Sequence, residues 1–146
     1  MTDATDARDG LSPETAPAYL RERGLIGDEE ATATSLGGGV SNRVIRVDAG
    51  DRAVVVKQPL PNLAVADDWP ADVERVHNEA AAARAYADAI ESAGLDDVRV
   101  PAVLSEDRDA HVVVFTCAPA AAGSWKRELL GGRVDVGVAR SLGRLL

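Results

Sequence analysis

The sequence predicts an α+β fold: a five-stranded antiparallel sheet with one long helix packed on it. Three observations lead there. Three short segments rich in Thr, Val and Ile follow one another between residues 32 and 58, separated only by glycine or Asp-Ala-Gly-Asp turns. Residues 71–93 contain neither proline nor glycine and are dense in alanine, which favours a long helix. Two further β-rich segments then flank a charged turn. A chain of 146 residues supports one ordinary domain or one lobe of a larger protein, burying ~70% of its unfolded surface.

Taken in order, residues 1–10 are small, polar and acidic, the composition of a disordered tail. Ser12-Pro13-Glu14 is a helix-start signal, a cap with proline at the first helical position, and the segment it opens runs through Arg23 to a stop at Gly24. Strands are expected over 32–36, 43–47 and 52–58. Pro59 and Pro61 end the third, because proline cannot donate to a ladder. After a loop to Trp69, the long helix is expected from about Pro70 to Ala93, stopped by Gly94. Residues 100–104 and 111–117 read as a hairpin around Glu106-Asp107-Arg108-Asp109. Together, 11–117 form the expected folded unit, 118–123 a small-residue linker, and 124–146 the start of a further helical region.

Within that region 125–130 read as a short helical turn, and 134–146 as a helix with Val134, Val138, Leu142, Leu145 and Leu146 on one face. Its apolar stripe reaches the last residue without a cap or stop. The expectation is a chain cut within a longer protein.

Charge narrows the functions. Sixteen basic residues against 24 acidic leave a net of −8, which argues against nucleic acid as a partner. No run approaches the ~18 apolar residues of a membrane span. Asp3, Asp6 and Asp9 do not suit a signal peptide, so no membrane partner and a cytoplasmic location are expected. Cys117 is the sole cysteine; it excludes an internal disulfide and leaves too few thiols for a zinc site. Lysine occurs only at 57 and 126, in a chain rich in Asp and Ala, a surface composition typical of salt-adapted, halophilic organisms. In such a chain each lysine is a stronger candidate for a specific role.

Three features carry chemistry. Gly37-Gly38-Gly39-Val40-Ser41-Asn42 joins two strands, and three successive glycines let the backbone approach a ligand and aim N–H groups at it, phosphate being the usual one. The same glycines also suit a plain hairpin turn. The loop is not a dinucleotide fingerprint, because a strand follows it, and it lacks the Gly-Lys-Ser/Thr ending of a Walker loop. Lys57 lies on a strand whose two faces are both apolar, where it either serves a specific partner or snorkels to water. Glu79 falls on the edge of the long helix's buried stripe and requires a cation: Lys57, or Arg75 one turn earlier.

A glycine-rich hairpin, a lysine on the next strand and a glutamate on the following helix is the order of the small lobe of protein-kinase-like enzymes. From about Ala31 onward the chain resembles the N-terminal lobe of methylthioribose kinases, within the aminoglycoside-phosphotransferase-like group of small-molecule kinases. The resemblance rests on Val56-Lys57-Gln58-Pro59-Leu60-Pro61, on Asp68-Trp69-Pro70, Arg75 and Glu79-Ala80, and on Trp125-Lys126 with Leu129-Leu130 and Gly132. It implies a protein-kinase-like N-lobe, ATP and Mg²⁺ as cofactors, and phosphoryl transfer to a hydroxyl of a small sugar-like or aminoglycoside-like substrate. A homodimer is an assembly it allows. It further implies that Gly37, Gly38, Gly39, Val40, Ser41, Asn42 and Lys57 serve the phosphates, that Glu79 holds Lys57, and that backbone at Thr116, Cys117 and Ala118 meets the adenine, with 118–123 as hinge.

The loop Gly39-Val40-Ser41-Asn42 is nearer the Gly-x-Ser-Asn form of the wider group than the asparagine-rich loop of methylthioribose kinases. A His-x-Asp catalytic loop is also missing: His77 precedes Asn78-Glu79 and His111 precedes Val112-Val113. No catalytic residue and no metal ligand is therefore assigned in this chain, and both histidines read as helix-surface or strand-end residues. A non-catalytic α+β adaptor or a pseudokinase lobe is the alternative reading.

Overall fold

The computed structural model describes residues 10–145 apart from 38 and 120, so residues 1–9 of the expected tail at 1–10, the middle glycine of the loop, Gly38, and Leu146 of the expected apolar stripe lie outside the described residues. The strands are β1 (Ala31–Ser35), β2 (Asn42–Ala49), β3 (Arg52–Pro59), β4 (Val103–Asp107) and β5 (Val112–Thr116). The helices are α1 (Ala16–Glu22), α2 (Arg75–Ser92), α3 (Trp125–Leu130) and α4 (Val136–Gly143). The fold is α+β, with one open sheet in the order β1-β2-β3-β5-β4 and every neighbouring pair antiparallel.

Alternation along the strands sends side chains to opposite faces. Ile45, Val47 and Ala49 of β2, Val54 and Val56 of β3, and Val112 and Val114 of β5 pack with Leu11, Tyr19 and Leu20 from the α1 region. Val113 and Phe115 point the other way and pack with Val76 and Ala80 of α2. The sheet thus carries a helix on each face. The second face is covered mainly over β5 and its neighbours, leaving Val44, Arg46, Ala53, Val55 and Lys57 half-buried. On the α1 face the buried Gln58 accepts from Leu11 N–H (2.7 Å) and donates to the Ala110 carbonyl (3.1 Å), tying the N-terminal segment to the hairpin.

Four boundaries differ from the sequence expectation. Helix α1 begins at Ala16 behind Thr15 rather than at Pro13, residues 13–15 forming a turn that precedes it. The long helix begins at Arg75 rather than Pro70, because residues 69–71 are engaged elsewhere. Leu63 N–H donates to Trp69 O, Ala71 N–H to Pro61 O, and Asn62 and Pro70 form an isolated bridge. Strand β4 is displaced toward the C-terminus, to Val103–Asp107; Pro101 has no N–H to give a ladder, and the turn moves to residues 108–111, where His111 adopts φ 51°. Helix α4 starts after Asp135, whose carboxylate accepts from Gly137 N–H (2.8 Å) and Val138 N–H (3.2 Å), so Val134 precedes the helix and is exposed.

Candidate functional site

The register of β2 and β3 places Asn42 opposite Pro59 and Val44 opposite Lys57. The glycine loop therefore enters the sheet beside the Lys57 end of β3. Thr116 pairs with Val54 at the other end of the same stretch. Three residues at about 3.3 Å each separate the two ends by roughly 10 Å.

Lys57 Nζ forms an ion pair with Glu79 Oε1 of α2 and lies 5.5 Å from the centroid of the Phe115 ring. Arg75, the competing partner, is occupied elsewhere. Its guanidinium donates to the backbone carbonyls of Ser41 and Leu60 (the latter at 2.8 Å), fastening the start of α2 to the base of the glycine loop. The segment after β3 supports the loop from below, with Leu60 N–H donating to Ser41 O (2.9 Å) and Ala64 N–H to Val40 O (2.7 Å). That clamp was not legible in the sequence, where Arg75 reads as a helix-surface cation one turn from Glu79.

The loop itself is open. Gly37, Gly39 and Val40 are exposed, Ser41 and Asn42 half-buried, and neither Gly37 nor Gly39 adopts a positive φ. A Cβ built on either glycine would meet nothing within 4 Å. Among the described residues, then, neither backbone strain nor packing calls for glycine there. Asn42 Oδ1 and Arg75 Nε are buried without a partner among the described residues, two polar atoms left beneath this loop.

Beside the ion pair, Val55, Lys57, Glu79, Ala83, Tyr86 and Phe115 line a mostly apolar cavity of ≈ 380 Å³ that reaches Thr116 and Ala118. Thr116 N–H is used by Ala102 O (2.9 Å), and Cys117 N–H by Ala53 O (3.3 Å), so of the three residues singled out at this end only Ala118 lies outside sheet pairing. Cys117 is half-buried and free. Tyr86 and Phe115 were not singled out from sequence. Phe115 stands in an apolar strand, and nothing local distinguishes it from its valine neighbours.

His111 sits at the end of a strand, directly before β5, but His77 departs from expectation. His77 is 5% exposed rather than on the helix surface; its Nδ1 lies 2.8 Å from Glu106 Oε1 and its Nε2 3.3 Å from His111 Nδ1. The signal was available in the spacing, because position 77 shares a helix face with Ala80 and Arg84, one turn apart. Glu106 also pairs with Arg84 (2.6 Å) and Arg108 (2.8 Å). Arg84 foremost, then the His77 hydrogen bond and Arg108, holds the Glu106 carboxyl below its ordinary value against the opposing effect of burial.

No family model matches the chain. It is similar to proteins named methylthioribose kinase. That of Exiguobacterium sibiricum is 39% identical over 69 residues, 47% of this chain and 18% of the relative. That of Bacillus cereus is 27% identical over 141 residues, 93% of this chain and 33% of the relative, and that of Bacillus mycoides 29% over 108 residues, 72% and 26%. The chain spans a third or less of the length of these curated relatives. These relatives share the name of a kinase-type enzyme. Among the described residues no helix is long and apolar enough to cross a membrane.

Proposed function

We propose that this chain is the nucleotide-binding lobe of a methylthioribose-kinase-like phosphotransferase, which moves the γ-phosphoryl group of ATP to a hydroxyl of a small sugar-like substrate. The observation that carries the reading is the Lys57–Glu79 ion pair in the lining of the cavity, beside the strand entry of the glycine loop. An ammonium held by a helix carboxylate is a fixed positive charge, and fixed charge stabilises phosphoryl transfer, where negative charge is spread over the phosphate oxygens.

The residues present suit ATP. The apolar walls from Val55, Ala83 and Phe115 fit a flat base, and Ala118 offers a backbone N–H at the hinge end. The ~10 Å along β3 between hinge and lysine matches the reach from a nucleotide's base to its phosphates. The exposed glycines, which no internal contact requires, give N–H groups room to approach those phosphates. Mg²⁺ would neutralise charge on the phosphates when bound; its ligands and the catalytic base are assigned to a helical lobe beyond this chain, with 118–123 as hinge and 124–146 as the start of that lobe.

Titrating the 146-residue chain with ATP and Mg²⁺ while recording amide NMR shifts tests the reading. The expected result is affinity no tighter than millimolar, because half the site belongs to the other lobe, with shifts concentrated at Gly37, Gly39, Lys57 and Ala118. Sub-micromolar binding, or shifts that avoid these residues, would overturn it.

A further inference from the structure

His77 and His111 are the chain's only two histidines, 34 residues apart in sequence, and the fold brings their ring nitrogens to 3.3 Å. Glu74, one turn before His77 at the head of α2, adds a carboxylate oxygen 3.6 Å from His111 Nδ1. One ligand atom from each of the three lies within 4.8 Å of the other two. We propose that Glu74, His77 and His111 form a binding site for a borderline divalent transition ion of the Zn²⁺ class, which fastens the start of α2 to the β4–β5 turn.

The geometry suits the metal. Tetrahedral bonds of about 2.0–2.2 Å place ligand atoms roughly 3.3–3.6 Å apart, and the separations of 3.3 and 3.6 Å match those edges. The two imidazole planes are tilted by 53° rather than stacked, which lets the nitrogens converge on one point. Two imidazoles and one carboxylate select zinc, cobalt or nickel over magnesium or calcium, which prefer oxygen alone. Three protein ligands leave the fourth position to water.

The second reason is how His77 is held. A ligating histidine donates its other N–H to a carboxylate, which fixes the ring and raises the basicity of the ligating nitrogen. Glu106 stands 2.8 Å from His77 Nδ1, is 11% exposed, and is itself fixed by Arg84 and Arg108. With Nδ1–H directed at Glu106, the Nε2 lone pair faces His111 and Glu74. No thiolate is involved, so the shortage of cysteine does not bear on this site. A plain hydrogen bond between two neutral imidazoles would explain the 3.3 Å contact but gives Glu74 no part, and that difference is what the experiment reads.

Tag-free, chelator-treated protein is titrated with Zn²⁺ against a chromophoric chelator, and with Co²⁺ by visible absorption. One equivalent of Zn²⁺ should bind with sub-millimolar affinity, the Co²⁺ form should show tetrahedral d–d bands, and Zn²⁺ should raise the melting temperature. His111→Asn, which tolerates the left-handed backbone at that turn, should weaken binding by at least about 100-fold, and Glu106→Gln by about 10- to 100-fold through the His77 ring. Glu74→Gln at an exposed position should weaken it without unfolding the chain, which keeps the test clear of any collapse caused by altering buried His77. No saturable sub-millimolar binding, or binding that survives both His111→Asn and Glu74→Gln, would overturn the proposal. None of these readouts depends on nucleotide or kinase activity.

Discussion

Among the described residues, thirteen buried ones from the N-terminal segment, β2, β3, β5 and the turn before β5 form one continuous apolar core on the α1 face of the sheet; on the α2 face only Val76, Ala80, Val113 and Phe115 do so. Polar contacts supplement the thinner face: the Lys57–Glu79 and Arg84–Glu106 ion pairs and the hydrogen bond between His77 and Glu106. Beyond Ala80 most of α2 is exposed. One face thus works as scaffold through area removed from water. The other keeps half-buried polar groups beside a cavity, the arrangement a site requires and a core forbids.

Breaking the scaffold should have the largest effect. Leu20, fully buried in the α1 core, should on truncation to Ala cost about 3 kcal/mol in urea or thermal unfolding, because the lost transfer energy and the cavity add. A cost below about 1 kcal/mol would mean that the α1 face is not the main support.

Adjacent residues on β4 serve the two faces separately, and this gives the next largest effect. Asp107 accepts from Tyr19 Oη (3.1 Å) and Arg23 (2.6 Å) on the α1 side and from the N–H groups of Asp109 and Ala110 in its own turn, whereas Glu106 holds α2. Burial alone would raise the Asp107 carboxyl, but the Ala110 N–H, Arg23 and Tyr19 together bring it below its ordinary value. Both groups therefore bind protons less readily folded than unfolded. Their contribution is complete above about pH 5 and is lost as pH falls through the ordinary carboxylate range into the lowered values. Asp107→Ala should cost about 2 kcal/mol at neutral pH. Combining Glu106→Gln with Asp107→Asn should flatten the fall in stability between about pH 5 and 3. An unchanged acid limb would separate these carboxylates from the stability of either face.

What the sequence revealed follows the same division. The α1 face was legible because strand alternation is a local signal, and β1 to β3 fall within two residues of their expected bounds, whereas α1 begins at Ala16 behind Thr15, three residues past the expected start at Pro13. The lysine and glutamate were legible because each is costly to bury without a partner. The rest depends on contacts across the chain. The start of α2 is set by residues 61–63 pairing with 69–71, and the shift of β4 by Pro101 together with the carboxylates of Glu106 and Asp107, which reach α2 and α1. The histidine pair joins positions 34 residues apart. No local pattern encodes such a meeting.

A smaller effect tests how the thin face is joined to the loop. Arg75→Ala removes the donor to Ser41 O and Leu60 O, but both carbonyls accept further bonds or reach water, so stability should fall by only about 1 kcal/mol. Amide exchange at residues 39–42 and 60–64 should quicken while β2 and β5 amides keep their protection. Equal acceleration throughout would show that Arg75 supports the whole fold rather than the loop.

The smallest expected effect on stability is at Lys57, and it separates the two faces most sharply. Its side chain is 27% exposed and that of Glu79 41%, so the pair is well solvated and contributes little to folding; Lys57→Met, which keeps the stem against Phe115, should change stability by less than about 0.5 kcal/mol. In the complete enzyme that the proposed function requires, the same substitution should lower turnover on methylthioribose or a related sugar by ~10²-fold or more, with a lesser change in nucleotide affinity, because charge on the phosphates is stabilised most as transfer occurs. Glu79→Gln should give a milder form of that defect, since the carboxylate holds the ammonium and does not touch phosphate. Near-normal turnover with Lys57→Met would make the lysine a structural residue that snorkels past Phe115, and the face carrying α2 would then lose its claim to the chemistry.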